Sequence, residues 1–203
     1  MNTIIFDMDG TLINSGKVIT NSINFVRENI GLEKMAEKEI LEYINTPHIN
    51  TAEILYGTKE FTPEQSKLFE NYYTQNCTKD IELYDGIKEV LKTLHKENKK
   101  LAIATNAFSS FAKEMLEYLD IYRYFDVIVG ADMVKKPKPN PEMILNIMQN
   151  LNADKSHTIL IGDSHKDRLS AKSAEIKFLL VNWGFSEHNE NVINRAEEIL
   201  ENL

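Results

Sequence analysis

Apolar positions along this chain follow two periods that alternate. Ile4, Ile5 and Phe6 form an unbroken run near the start, the pattern of a short strand buried on both faces. Ile87, Val90, Leu91 and Leu94 recur at spacings of three and four, which predicts a helix, and Leu101 to Ala104 then form a second run. The alternation continues. Ala112, Met115, Leu116 and Leu119 precede a strand over Asp126 to Val129, and Met143, Ile144, Ile147, Met148 and Leu151 precede one over Thr158 to Ile161. Phe178 to Val181 predicts a last strand, and Val192, Ile193, Ala196, Ile199 and Leu200 a final helix. This pattern predicts an α/β fold with a parallel five-stranded sheet covered by helices. Residues 15 to 82 depart from it and read as helices only, with Val18, Ile19, Ile23, Val26 and Ile30 on one face. Further helices are expected near 37–44, 50–56 and 63–77, with Thr62-Pro63-Glu64 as an N-cap and first turn. The expected organisation is therefore a core of residues 1–14 and 83–203 with a helical insert of residues 15–82.

Composition changes the picture in three ways. At 203 residues the chain can bury a sizeable core, and 42% hydrophobic with 27% charged residues is ordinary for a globular protein. A net charge of −8 disfavours nucleic acid as a partner, because phosphate backbones are gripped by clustered Lys and Arg. The single cysteine, Cys77, permits no intrachain disulfide and no Cys-based zinc site, which fits the reducing cytoplasm, and it reads as a small buried or capping residue. No apolar stretch approaches the length of about 18 residues that a membrane helix needs, and no signal peptide is read at the N-terminus. A soluble protein, monomer or homodimer, is expected.

The conspicuous polar clusters each follow the C-terminal end of a predicted strand, where open α/β sheets place their ligands. Asp7 and Asp9 lie in Asp7-Met8-Asp9-Gly10-Thr11-Leu12. One carboxylate can attack phosphorus while the other protonates a leaving group and then activates water. Two acids beside a phosphate dianion require a cation, and oxygen ligands favour Mg2+. Asp163 and Asp167, four apart in Gly162-Asp163-Ser164-His165-Lys166-Asp167, supply further acids. Lys136, in Val134-Lys135-Lys136-Pro137-Lys138-Pro139-Asn140-Pro141, is assigned the cation that compensates the phosphoryl charge, with Lys135 and Lys138 as surface charges. The Thr105 hydroxyl and the Asn106 backbone N–H offer donors for a phosphoryl oxygen.

Asp-x-Asp-Gly-Thr, a strand-terminal Thr-Asn, Lys-Pro-x-Pro-x-Pro and Gly-Asp-Ser-x-x-Asp, in this order, resemble the four motifs of the haloacid dehalogenase-like hydrolases. The resemblance spans essentially the whole chain. It implies a three-layer Rossmann-like core with sheet order 5-4-1-2-3, the strands numbered along the chain. It also implies Asp7 as nucleophile, Asp9 as acid/base, and Thr105 and Lys136 as phosphoryl binders. Asp163 and Asp167 then form the acidic end of a Mg2+ site completed by Asp7 and the Asp9 backbone carbonyl. An Asp at the acid/base position accompanies phosphoryl transfer in this family, so a phosphatase acting on a small phosphorylated metabolite is implied rather than a dehalogenase.

The insert resembles the small helical cap of the phosphoglycolate phosphatase-like branch. Asn45, Thr46 and His48 occupy the place of a substrate loop there, although Asn45 and Thr46 stand where relatives often carry glycine. His165 is expected at the surface, and His95, His157 and His188 belong to no visible constellation. Two rival readings are a phosphosugar mutase like β-phosphoglucomutase, sharing cap and core, and a phospho-Asp signalling domain. The second fits poorly, since the proposed nucleophile ends the first strand and a helical insert is present.

Overall fold

The computed structural model describes residues 1–185, 188–189 and 191–203. Its centre is strand β1 (Thr3–Phe6), four residues that are all buried. It lies between β4 (Lys100–Ala104) and β6 (Thr158–Gly162), both parallel to it, with Thr3 level with Lys100 on one side and Thr158 on the other. β5 (Val127–Val129) continues the sheet beyond β4, and β7 (Lys177–Val181) beyond β6. Successive side chains of a strand point to opposite faces, so each face needs its own cover. Ile4 and Phe6 enter a core with Ile87, Leu91 and Leu94 of α5 (Ile87–Lys96) and Met115 and Leu116 of α6 (Ser109–Tyr118). Ile5 faces the other way, with Ile144 and Ile147 of α7 (Glu142–Leu151) and Ala171 and Ala174 of α8 (His165–Ala174). The result is a three-layer α/β architecture, with the parallel sheet covered by helices that the apolar pattern predicts.

The sheet has six strands rather than five. Its order is β5-β4-β1-β6-β7-β8, which keeps the expected sequence and adds β8 (Val192–Ile193) at the edge, parallel to β7. Val192 and Ile193 are thus not part of the final helix, which is only α9 (Glu198–Glu201). Two consecutive β-branched residues suit a pleated edge. The open side of β7 offers them a partner, pairing Leu180 with Val192 and Val181 with Ile193.

Between β1 and α5 lie four helices: α1 (Gly16–Asn29), α2 (Glu37–Asn45), α3 (Thr51–Tyr56) and α4 (Pro63–Asn76). Thr62 caps α4, its hydroxyl accepting the Gln65 N–H while Gln65 Oε1 accepts the Thr62 N–H, and Pro63 takes the first position. Ile23, Val26, Ile40, Leu55 and Tyr56 make a cluster of their own. A two-stranded antiparallel ribbon, β2 (Ile13–Asn14) with β3 (Glu82–Leu83), ties the two points where the chain leaves and rejoins the core. Tyr73 and Cys77, at the far end of α4, pack into the core cluster beside Met115. Among the described residues no helix is long and apolar enough to cross a membrane.

Candidate functional site

The parallel strands deliver their loops to one end of the sheet. β1 runs out at Phe6, and Asp7 follows, its N–H still bound to the Ile161 carbonyl of β6 at 2.8 Å. The chain then turns sharply: the Gly10 N–H donates to the Ile13 carbonyl, and Gly10 holds φ of 81°, a conformation that side chains resist. This turn leaves Asp7 buried and Asp9 half-buried. β6 ends at Gly162, and Asp163 and α8 begin directly across from Asp7.

One cation joins the acids. The Lys138 ammonium lies 2.6 Å from Asp7 Oδ1 and 2.6 Å from Asp167 Oδ1, and only 4% of Lys138 is exposed. Lys136, to which the sequence reading assigns this place, is exposed, with its backbone N–H donating to Glu142. The structure therefore puts Lys138 in the position expected of Lys136 and corrects its assignment as a surface charge. Both lysines precede a proline in Lys136-Pro137-Lys138-Pro139, so composition could not separate them. Register does. Lys138 is clamped from outside, its N–H donating to Asn106 Oδ1 and its carbonyl accepting from Asn106 Nδ2, each at 3.0 Å. Asn106 thus sets the lysine with its side chain, while its backbone N–H finds no acceptor among the described residues.

Asp167 is doubly committed. It sits at the third position of α8, where its Oδ2 accepts the Ser164 N–H and hydroxyl and the Ser164 hydroxyl accepts the Asp167 N–H. Its other oxygen accepts from Lys138. Asp163 is different. Its Oδ2 accepts the Phe185 N–H at 2.8 Å, but Oδ1 is buried with no partner among the described residues. The carboxylates of Asp7, Asp163 and Asp167 lie within 4.8 Å of one another. A buried, orphaned carboxylate oxygen in an all-oxygen set fits a hard divalent cation such as Mg2+. Asp163 Oδ1 is the oxygen left without a partner for it among the described residues, while Asp7 and Asp167, which also accept from Lys138, each bring an oxygen to the same cluster.

Electrostatics agree with this packing. Burial, then repulsion from Asp167, raises the Asp7 pKa well above the usual carboxylate range, against the opposing pull of Lys138. Asp163 is pushed up to about 7, by burial first and Asp167 second. These are the acids that a cation would relieve. Asp9 stands apart from the cluster. The Ser15 hydroxyl donates to its Oδ1 at 2.5 Å, and burial raises its pKa while Ser15, Lys138 and Thr105 pull it down. Thr105, buried at the end of β4, therefore touches the field of Asp9.

The loop after β7 closes the far wall. A Cβ on Gly184 would meet the Gly10 carbonyl at 2.2 Å and Asp163 Oδ2 at 2.4 Å, so only glycine fits there. Trp183 Nε1 donates to the Thr11 carbonyl, and His188 Nε2 donates to the Asp163 carbonyl at 2.7 Å. His188 also packs edge-on against His165, which is exposed as expected. His188 thus belongs to the site wall although the sequence marks no constellation for it. No local pattern could have found it, since its partner is 25 residues away. The capping role of Ser164 is legible in the sequence, where Gly162-Asp163-Ser164 reads as a helix N-cap string and Ser-x-x-Asp is a capping signature.

Of the insert residues, Asn45 ends α2, and its Nδ2 is buried without an acceptor among the described residues. The Thr46 hydroxyl turns back to the Glu42 carbonyl, and His48 is exposed with φ of 64°. The end of α2 is brought to the acidic cluster by Lys166, whose ammonium donates to the Ile44 carbonyl at 2.5 Å.

Residues 4–181 match the haloacid dehalogenase-like hydrolase family. Among curated relatives, pyrophosphatase PpaX of Halalkalibacterium halodurans is 33% identical, over 97% of this chain and 90% of its own length. The phosphoglycolate phosphatase of Aquifex aeolicus is 30% identical, over 95% and 90%. A solved haloacid dehalogenase-like family hydrolase from Streptococcus pneumoniae superposes with a TM-score of 0.86 at 25% identity, covering 100% of this chain and 98% of that one.

Proposed function

Because the chain belongs to the haloacid dehalogenase-like hydrolases, in their phosphoglycolate phosphatase-like branch, and is a hydrolase of phosphate esters, we propose that it cleaves small-molecule phosphate monoesters through an aspartyl-phosphate on Asp7. Residues 15–82 act as the cap over a core of residues 1–14 and 83–203, and the enzyme works in the cytoplasm.

The observation that carries this reading is the division of labour between two carboxylates. Asp7 Oδ1 is fixed by Lys138, which leaves Oδ2 to attack phosphorus. Lys138 then faces the transferring phosphoryl group as a buried point charge, and Asp167 holds it there. Asp9, oriented by Ser15, gives a proton to the leaving oxygen and afterwards takes one from the attacking water. Thr105 and the free Asn106 N–H receive phosphoryl oxygens. Asp7, Asp163 and Asp167, with the Asp9 carbonyl that the family resemblance implies, would hold Mg2+, which would supply neutralising charge to phosphoryl oxygens.

Phosphate release from a panel of small esters, with Mg2+ and with EDTA and with Asp7→Asn in parallel, tests the proposal. Turnover that needs Mg2+ and vanishes in the variant is expected. Turnover that survives Asp7→Asn would refute Asp7 as nucleophile, and no phosphate release from any ester, with isomerisation of a sugar phosphate in the presence of a sugar bisphosphate, would favour a mutase.

A further inference from the structure

Lys166 has no part in the roles set out above, yet its surroundings are unusual for a lysine. It lies in the first turn of α8, one residue before Asp167, and is largely withdrawn from solvent. Its recorded partner is neutral, the Ile44 carbonyl at the end of α2, 122 residues away. Among the described residues it makes no ion pair. Even a half-buried charge costs free energy without a counter-charge, and in a chain of net charge −8 acids are not scarce. An ammonium carries three N–H donors, so two remain uncommitted. The next residue after Ile44, Asn45, likewise holds a buried amide donor with no acceptor among the described residues. Donors from core and insert thus meet at the seam between them with fewer acceptors than they can serve.

The Lys166 charge also shares the field of the site. Burial, then the Lys138 ammonium, lowers its pKa, while Asp167 and Asp7 raise it. Lys138 is already held by two carboxylates, so it can serve the transferring phosphoryl group but not a second anion.

We infer that Lys166, with the Asn45 amide beside its anchor, recognises a second anionic group on the leaving portion of the substrate, a carboxylate or a phosphate. This assignment rests on the phosphatase reading and narrows it to substrates whose leaving group is itself charged. On binding, the ammonium keeps or relaxes its bond to Ile44 and turns its remaining donors to the anion.

The test uses the full-length protein and four probes with Mg2+. Phosphoglycolate and pyrophosphate carry a carboxylate and a phosphate on the leaving side, whereas 2-hydroxyethyl phosphate and p-nitrophenyl phosphate carry no second anion. Lys166→Gln should lower kcat/KM for whichever anionic probe the wild type prefers by roughly 10- to 100-fold, the loss of one charge-assisted hydrogen bond. The neutral probes should change by less than about twofold, and Lys166→Arg should retain most of the preference. The arm that responds distinguishes carboxylate from phosphate. Equal losses on charged and neutral probes would reduce Lys166 to a structural latch and overturn the assignment, as would no loss on either, or a wild type active on the neutral pair alone. A wild type that releases phosphate from none of the four would instead overturn the phosphatase reading itself, and this assignment with it.

Discussion

Replacing Lys138 by methionine removes the one cation among the described residues that touches both Asp7 and Asp167 and leaves their carboxylates, 8% and 0% exposed, facing each other. At 2.6 Å and an effective dielectric of about 20, each contact carries a gross attraction of about 6 kcal/mol. Desolvation of each buried ion offsets several kcal/mol of that, so the net loss on stranding the acids is about 3–5 kcal/mol. Urea unfolding of the wild type and Lys138→Met in EDTA, where no divalent cation can replace the ammonium, measures this difference. The same variant in Mg2+ should lose about 10²- to 10³-fold in kcat, the scale of removing one preorganised partner of a developing charge. Lys136→Met is the control. Lys136 is exposed, so stability should change by no more than about 0.5 kcal/mol and turnover should hold. A stable, active Lys138→Met beside an inactive Lys136→Met would refute the placement of the lysine and restore the sequence-based assignment.

Three further outcomes follow from the packing. Gly184→Ala forces a methyl against the Gly10 carbonyl and Asp163 and should cost about 1–3 kcal/mol, with loss of turnover, in parallel unfolding and phosphate-release assays; a neutral result would mean that this loop does not close on Asp163. Ser164→Ala strips the cap of α8 and should lower stability by about 1 kcal/mol in urea, with Asp167 less well held; unchanged stability would count against the capping interaction. Burial, then Glu114, pushes the Cys77 thiol up to about 11 from 9.0, so near pH 8 it holds about a hundredfold less thiolate than an exposed cysteine. Native protein should therefore react with a thiol reagent at least that much more slowly than protein in urea, and comparable rates would show that the end of α4 is not packed on the core.

The parts of the fold legible in the sequence are those whose signal is long. Strands buried on both faces read as unbroken apolar runs, and helices such as α5 and α7 read as stripes, so a parallel sheet covered by helices was predictable from the pattern, while the order of five strands came only from the family resemblance. β8 was not, because Val192-Ile193 is only two residues long and fits either period until the edge of β7 is known. The ribbon of β2 and β3 is equally short. In the site, Asp7, Asp9, Asp163 and Asp167 announce themselves by following strand ends. The tandem Lys-Pro pairs do not, since nothing local distinguishes a lysine pointing inward from one pointing out; the Asn106 clamp on Lys138 spans 32 residues. Ser15, Lys166, Gly184 and His188 have roles defined wholly by tertiary neighbours, which no spacing rule contains.

The central claim is that Asp7 carries the phosphoryl group. Rapid acid quenching during turnover of a phosphate ester, followed by mass spectrometry of the peptide bearing Asp7, tests it most directly. The account predicts the added mass of one phosphoryl group on that peptide, labile to hydroxylamine and missing from Asp7→Asn. Steady turnover with Asp7 unmodified at every quench time, or the label on another residue, would contradict it.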